Sequence, residues 1–89
     1  MVTQTLNALK PGQQAIVRAL TSQGLERRRL MDLGLLPGTL VAVELTSPLG
    51  DPTAYLVRGT LVALRREQAA RIEIEIVPEE SLIEQEDAS

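Results

Sequence analysis

The 89-residue chain has no cysteine, histidine, tryptophan or phenylalanine, and its one aromatic residue is Tyr55. Without cysteine or histidine it cannot form a disulfide framework, a thiolate-held iron–sulfur cluster or a zinc site of the usual kind. Serine–histidine and cysteine–histidine nucleophile pairs are excluded for the same reason. The composition therefore favours a binding module over an enzyme, and we predict no catalytic residue, no cofactor and no dedicated metal site.

Negative charge is concentrated at the C-terminus. The whole chain has a formal net charge of −3, yet five of its 12 acidic residues lie in the last 11 positions, which carry no base. Residues 1–78 hold nine bases and seven acids, a net charge of +2. We therefore predict one domain over 1–78 and an acidic, disordered tail over 79–89. Leu82 and Ile83 are the exception in this tail, because they could dock on the domain as an apolar pair.

No segment combines a basic start with an apolar run of signal-peptide length, and no apolar run is long enough to cross a bilayer. The expectation is a cytoplasmic protein that does not span the membrane.

Five segments alternate apolar and polar residues, the pattern of strands with one buried face. The first two segments follow the Pro-Gly pairs at 11–12 and 37–38, which are typical of a type II turn. In the first segment, alternation places Ala15, Val17 and Ala19 on one face. In the second segment, it places Val41, Val43 and Leu45 on one face. Segments 53–58 and 60–64 are divided by Gly59, interpreted as a corner between half-sheets, and the last strand covers 72–76. The predicted core is Val17, Leu30, Val41, Val43, Val57, Val62, Leu64, Ile72 and Ile74.

Two helices interrupt these strands. The first is predicted over Gln23–Leu33, ending in a Schellman motif with Gly34 in the left-handed position and Leu35 touching Leu30; its apolar side is Leu25, Leu30, Met31 and Leu33. The second is a short helix near Arg66–Arg71 with Ala69 facing inward. Thr5 is a candidate cap for a turn that holds Leu6 and Leu9. The pattern as a whole predicts a small antiparallel barrel.

Four stretches resemble the FeoA family of small proteins associated with bacterial ferrous iron transport. They are L-K-P-G at 9–12, E-R-R-R-L-M-D-L-G-L-L-P-G-T-L-V-A-V at 26–43, P-L-G-D-P at 48–52 and V-R-G-T-L-V-A-L-R-R-E-Q-A-A-R-I at 57–72. The resemblance implies an all-β, SH3-like five-stranded antiparallel barrel, with one helix between the first and second strands and a short helical turn before the last. Its structural motif residues are Pro11, Gly12, Gly34, Leu35, Pro37, Gly38, Gly50 and Gly59.

The same resemblance implies an accessory or adaptor role in ferrous iron uptake, through contact with the cytosolic GTPase part of the FeoB transporter. The alternative is a stand-alone SH3-like interaction module related to the C-terminal domain of iron-responsive repressors, which regulates a different partner. A homo-oligomer is compatible with either hypothesis. At the level of the family, transition-metal binding is also implied, although the residues offer only carboxylates as ligands.

Apolar residues at outward positions mark a candidate partner surface. It comprises Leu36, Leu49, Ala54, Leu56 and Leu61, with Arg27, Arg28 and Arg65 as a charged rim. Each feature also has a purely structural interpretation. The segment 33–38 can simply be a helix stop and a turn, the arginines can be a solvated face in which Arg28 pairs with Asp32, and the apolar patch can close a homodimer or pack under the tail.

Two other ligand classes fit the composition poorly. Single-stranded nucleic acid is bound by stacking bases on aromatic side chains, and proline-rich peptides by aromatic-lined grooves. The chain offers Tyr55 alone for either purpose. We therefore predict that it binds no nucleic acid and no proline-rich peptide.

Overall fold

The computed structural model describes residues 4–78, which form six strands, two α-helices and one 3-10 turn. The elements are β1 (Gln4–Thr5), the 3-10 turn (Leu6–Ala8), β2 (Gln14–Leu20), α1 (Gly24–Asp32), β3 (Leu40–Thr46), β4 (Thr53–Val57), β5 (Thr60–Leu64), α2 (Arg66–Ala69) and β6 (Ile72–Val77). All strands pair antiparallel in one sheet of order β1-β6-β2-β3-β4-β5. The predicted tail, 79–89, lies outside the described residues.

The five predicted strands correspond to β2–β6, and the predicted helices to α1 and α2. The additional strand β1 was not predicted, because two residues are too few to show an alternation. It pairs with β6 through Gln4–Ile74 and Thr5–Glu73. All nine predicted core residues are buried. Outside that list of nine, the core also contains Leu6, Leu9, Ala15, Leu20, Leu35, Tyr55 and Ala69.

Two β-bulges change which side chains face the core. In β2 the register shifts between Val17 and Ala19, so that Leu20 is buried while Ala19, predicted to face inward, is only half-buried. In β3 the register shifts between Val43 and Leu45, and Leu45 is 68% exposed. The inward prediction for Leu45 was therefore wrong. A bulge adds one residue to one strand and reverses the alternation beyond it.

Both Pro-Gly pairs form the predicted turns. Gln13 N–H donates to the Lys10 carbonyl at 3.0 Å, and Thr39 N–H donates to the Leu36 carbonyl at 3.0 Å. The third turn residue is glycine in both cases, with φ of +89° at Gly12 and +93° at Gly38. A positive φ at this position is what a type II turn requires.

The segment between β4 and β5 is a tight hairpin and not the predicted corner. Val57 pairs with Thr60, which leaves Arg58 and Gly59 as a two-residue loop. Both have positive φ, +53° and +82°. This is the backbone of a type I′ turn, whose twist matches that of the flanking strands.

Helix α1 ends in the predicted Schellman motif. Gly34 N–H donates to the Met31 carbonyl at 2.9 Å, and Leu35 N–H donates to the Leu30 carbonyl at 3.1 Å. Leu30 and Leu35 are both buried in the core. The predicted apolar side was wrong at Leu25, which is 80% exposed, and at Leu33, which is 41% exposed. Leu25 is five residues before Leu30, which places it about 140° away around the helix.

The predicted cap at Thr5 does not form. Its side chain makes no capping hydrogen bond to the backbone of the 3-10 turn and instead lies against the Asn7 side chain. Leu6 and Leu9 are nevertheless buried as expected, and so is Ala69 in α2. Burial, and not the cap, therefore fixes this turn on the domain.

Truncation of Leu64 tests the assignment of the core. Leu64 is 2% exposed and Leu49 is 92% exposed. Leu64→Ala should lower the free energy of unfolding by about 2–5 kcal/mol, because it removes buried contacts and leaves a cavity. Leu49→Ala, the matched control, should stay within about 0.5 kcal/mol. Urea unfolding measures both, and equal losses would contradict the assignment.

Replacement of Gly34 tests the end of α1. Gly34 has φ of +101°, and an added Cβ would lie 3.2 Å from Val57 Cγ1. Gly34→Ala therefore combines backbone strain with a close contact, and we expect a loss of about 2–4 kcal/mol. Gly12→Ala is the control, since its φ is +89° but an added Cβ meets nothing within 4 Å. A loss at Gly34 no larger than at Gly12 in urea unfolding would show that the close contact is unimportant.

Candidate protein-binding groove

One row of cross-strand neighbours spans the outer face of the sheet. The successive pairs are Val77–Gln14, Gln14–Ala42, Ala42–Leu56 and Leu56–Leu61. The residues on either side along these strands, such as Val41, Tyr55 and Val62, are buried in the core. Side chains alternate between the two faces of a sheet, so this row points outward. Four of its five members are aliphatic, although a solvated face normally carries polar residues.

A groove with a volume of about 560 Å³ lies over this row. Its apolar lining comes from Leu36, Leu40, Ala42 and Leu56, and its polar side chains include Gln14, Thr39 and Arg58. Leu40 is 47% exposed and Leu56 is 37% exposed. Exposed aliphatic side chains around a concave surface are typical of interaction sites.

Main-chain hydrogen bonds hold one wall of the groove. This wall is the segment 36–40, which leaves the end of α1 and begins β3. Gly38 N–H donates to the Val17 carbonyl at 2.7 Å, and Val17 N–H donates to the Thr39 carbonyl at 2.9 Å. Since these bonds tie the wall to β2, the groove is formed before any ligand arrives.

Arg58 lies at one end of the groove in a conformation that arginine rarely adopts. Its φ is +53°, in the left-handed region that favours glycine and asparagine. Its side chain passes close to Gly34, since a Cβ added at Gly34 would lie 3.6 Å from Arg58 Cδ. Among residues 4–78, Arg58 makes no ion pair. The groove therefore combines an aliphatic floor with one positive charge.

Three of the predicted apolar surface residues come together here. Leu36 and Leu56 line the groove, and Leu61 is the cross-strand neighbour of Leu56. Ala54 lies on the same face, paired with Ala63. Leu49, 92% exposed, is in the loop at the other end of β3 and β4, so it does not belong to this surface.

The three predicted rim arginines lie elsewhere. Arg27 donates from Nη1 to the Leu20 carbonyl at 3.1 Å, and it lines a separate shallow cleft with Arg28. Arg65 is the N-cap residue of α2 and follows β5, at the end of that strand away from the hairpin. None of them lines the groove, whose charged residue is Arg58.

The ion pairs within 4–78 are Arg18–Glu75 and Arg71–Glu26. The pair between Arg28 and Asp32, which the structural interpretation of the arginines allowed, does not form in this part of the chain. Arg71 Nη1 donates to both carboxylate oxygens of Glu26, at 2.7 and 2.8 Å. This hydrogen bond and the charge of Glu26 raise the pKa of Arg71. The pair links α1 to the segment before β6.

Sequence reasoning missed Leu40 and Arg58 as groove residues. A signal for Arg58 was present, because type I′ turns favour Asn-Gly and this chain has Arg-Gly. Tyr55, the one aromatic residue, contributes nothing to the groove. It is buried in the core, with its hydroxyl 3.5 Å from the Leu6 carbonyl, and burial raises its pKa.

Within residues 4–78, no three carboxylates lie close enough together to hold a metal ion. Neither of the two α-helices in this part of the chain is long and apolar enough to cross a bilayer.

The family model described as the FeoA domain matches residues 4–76 of the chain. A curated relative, the Fe(2+) transport protein A/Fe(2+) transporter FeoB fusion protein of Porphyromonas gingivalis, is 36% identical over 72 residues, which are 81% of this chain. The matched part is only 8% of that relative's length. That relative contains both FeoA and FeoB parts in one polypeptide.

Solved structures give the same assignment. The FeoA protein of Chlorobium tepidum is 39% identical, with a TM-score of 0.79, over 84% of this chain and 71% of that one. The zinc complex of FeoA from Stenotrophomonas maltophilia, described as a prokaryotic SH3 domain protein, is 29% identical, with a TM-score of 0.72, over 81% of this chain and 89% of that one.

A manganese-dependent transcriptional repressor shares 14% identity with a TM-score of 0.77, over 86% of this chain and 42% of that one, which shows a common fold alone. The fold is therefore SH3-like, as predicted, with six strands in place of five. From the family match over residues 4–76 and the relatives above 30% identity, this chain belongs to the FeoA family, which is linked to ferrous iron transport.

Proposed function

We propose that this domain is an adaptor of a ferrous iron uptake system that binds the cytosolic GTPase part of a FeoB-type transporter. It acts in the cytoplasm by contact and not by catalysis. The observation that carries the proposal is the preformed groove, in which Leu40 and Leu56 are exposed and Leu36 is half-buried around a concave surface. A groove of this kind buries apolar side chains of a partner without ordering the domain itself.

The identity of the partner rests on the fusion protein of Porphyromonas gingivalis. Joining two binding modules in one chain raises the effective concentration of each for the other to the millimolar range. A fusion is therefore a favourable arrangement for parts that must associate. Association between parts on separate chains needs a surface with its own affinity, and the groove is the candidate for that surface.

The alternative is a stand-alone SH3-like interaction module, related in fold to the repressors, that regulates a different partner. Fold does not carry function from one protein to another. The groove suits a protein ligand in either case, so the two hypotheses differ only in which partner binds. A binding assay with the transporter's cytosolic domain separates them.

Substitution of the two groove-side leucines tests the proposal. Leu56→Glu and Leu61→Glu each place a charge on a surface that the partner should cover, and each should weaken binding by about tenfold or more. The assay is isothermal titration with the cytosolic domain of the FeoB-type transporter from the same organism. Circular dichroism checks that both variants remain folded.

Leu49→Glu is the matched control, because Leu49 is exposed at the other end of β3 and β4. It should leave the affinity within about twofold. Unchanged binding by both groove variants would remove this surface from the proposal. Failure of the parent protein to bind at tens of micromolar would contradict the choice of partner.

A metal titration tests whether the adaptor role needs a bound ion. Ferrous sites usually recruit histidine together with carboxylates, and the chain has no histidine. We therefore expect no stoichiometric binding of Fe²⁺ or Zn²⁺ at micromolar concentration in isothermal titration at moderate salt. A tight one-site isotherm would be the contrary result, and a carboxylate site would then have to be sought.

A further inference from the structure

The last strand of the described chain, β6, ends in the row of outward side chains that lies beneath the groove. Val77, the last residue of β6, pairs with Gln14, which lines the groove. From Gln14 the row continues through Ala42 to Leu56 and Leu61. The residues that follow Pro78 therefore begin at one end of the apolar row.

The residues that follow Pro78 include the aliphatic and acidic side chains that would suit the groove. Segment 79–84 reads E-E-S-L-I-E, in which one aliphatic pair, Leu82 and Ile83, is flanked by acids on both sides. The groove offers aliphatic side chains together with Arg58. Residues 1–78 carry a net charge of +2, while residues 79–89 contain five acids and no base. Segment and groove are thus complementary in both hydropathy and charge.

The spacing along the chain also fits. In the sheet order β6-β2-β3-β4-β5, Leu56 is three strands from Val77 and Leu61 is four strands away. At about 4.8 Å per strand these separations are about 14 and 19 Å. An extended chain spans about 3.3 Å per residue, so Leu82 reaches about 16 Å and Ile83 about 20 Å from Val77. A segment extended across the sheet would therefore bring the apolar pair level with Leu56 and Leu61.

We propose that segment 79–84 of this chain binds across the outer face of the sheet, with the Leu82–Ile83 pair level with Leu56 and Leu61 and its acidic residues beside Arg58. The segment then acts as an internal competitor for the partner. This consequence rests on the proposed function, whereas the binding of the segment does not.

The conformation of Arg58 supports the assignment. A non-glycine residue at φ of +53° is strained, and strained residues concentrate at functional sites. Asparagine would suit a type I′ turn better. An arginine at this position serves a ligand with negative charge, and the chain supplies one from the opposite end of the row.

The test uses the full-length protein and its leucine methyl groups in NMR. The double variant Leu82→Glu, Ile83→Glu should shift the methyl resonances of Leu40, Leu56 and Leu61, while those of Leu25 and Leu49 stay unchanged. Ala88→Glu is the matched control, because it adds a negative charge beyond the apolar pair. Groove resonances that respond no more to the double variant than to this control would overturn the proposal.

Arg58 variants test the charge contribution. Arg58→Asn suits the turn, so the domain should unfold at the same or a higher urea concentration, yet the shifts caused by the double variant should become smaller in this background. Arg58→Lys keeps the charge and should preserve those shifts. Equal responses in the Asn and Lys backgrounds would show that Arg58 does not bind the segment.

Other occupants give different results in the same experiment. If a second copy of the chain covers the groove, the methyl shifts of Leu56 and Leu61 will change on serial dilution and will not depend on Leu82 and Ile83. That result would overturn the proposal. The measurement contains no transporter fragment, so its outcome is independent of the proposed function.

Competition is measured separately by titration with the transporter domain. Because a short tether gives a millimolar effective concentration, removing a competitor with a millimolar dissociation constant should raise partner affinity by about twofold. If the NMR shifts occur but the transporter domain does not bind, the proposed function fails and the segment's binding stands. Lower affinity in the double variant would show instead that the segment helps to bind the partner.

Discussion

The turn at the end of α1, where the chain reverses at Gly34, is the structural constraint on which the rest of the domain depends. The left-handed backbone of Gly34, with φ of +101°, directs Leu35 into the core beside Leu30. The following residues then bond to Val17 in β2 and start β3. One turn therefore closes the core, joins the helix to the sheet and builds the groove wall. An added Cβ at Gly34 would approach Val57 within 3.2 Å, so the turn also packs against the hairpin.

This coupling gives the groove its rigidity. The wall is held by backbone bonds to β2, and the floor consists of outward side chains on strands whose inward neighbours fill the core. A ligand then meets a surface whose ordering is already complete, so binding loses less conformational entropy. The absence of aromatic side chains in the groove restricts its ligands, because aliphatic contacts provide area without stacking. Arg58 adds the one charged contact, at a position where the backbone itself is strained.

Much of the fold was predictable because local rules govern it. Strand alternation identified the five longer strands and eight of the nine predicted core residues, the helical pattern identified Leu30, and the two Pro-Gly pairs marked the turns. The predictions failed where a long-range contact changed a local pattern. The bulges in β2 and β3 reversed the facing of Leu20 and Leu45, and Arg58-Gly59 formed a hairpin turn in place of a corner. A register shift depends on the partner strand, which a single segment does not contain.

The outer face of the sheet shows the same division between what local sequence determines and what long-range contacts determine. The sequence by itself determined that Leu56 and Leu61 lie outward, because strand alternation assigns them to that face, and that Leu36 lies at a rim, because it begins a turn. It did not determine the outward position of Leu45, which depends on a bulge. Only the tertiary structure decided which of the outward residues meet. Cross-strand register brought Leu56, Leu61 and Ala42 into one row and the α1 turn set Leu36 over it, whereas Leu49, Arg27, Arg28 and Arg65 lie outside the groove. Side-chain direction follows from the local period of a strand, but proximity follows from the pairing of strands distant in sequence.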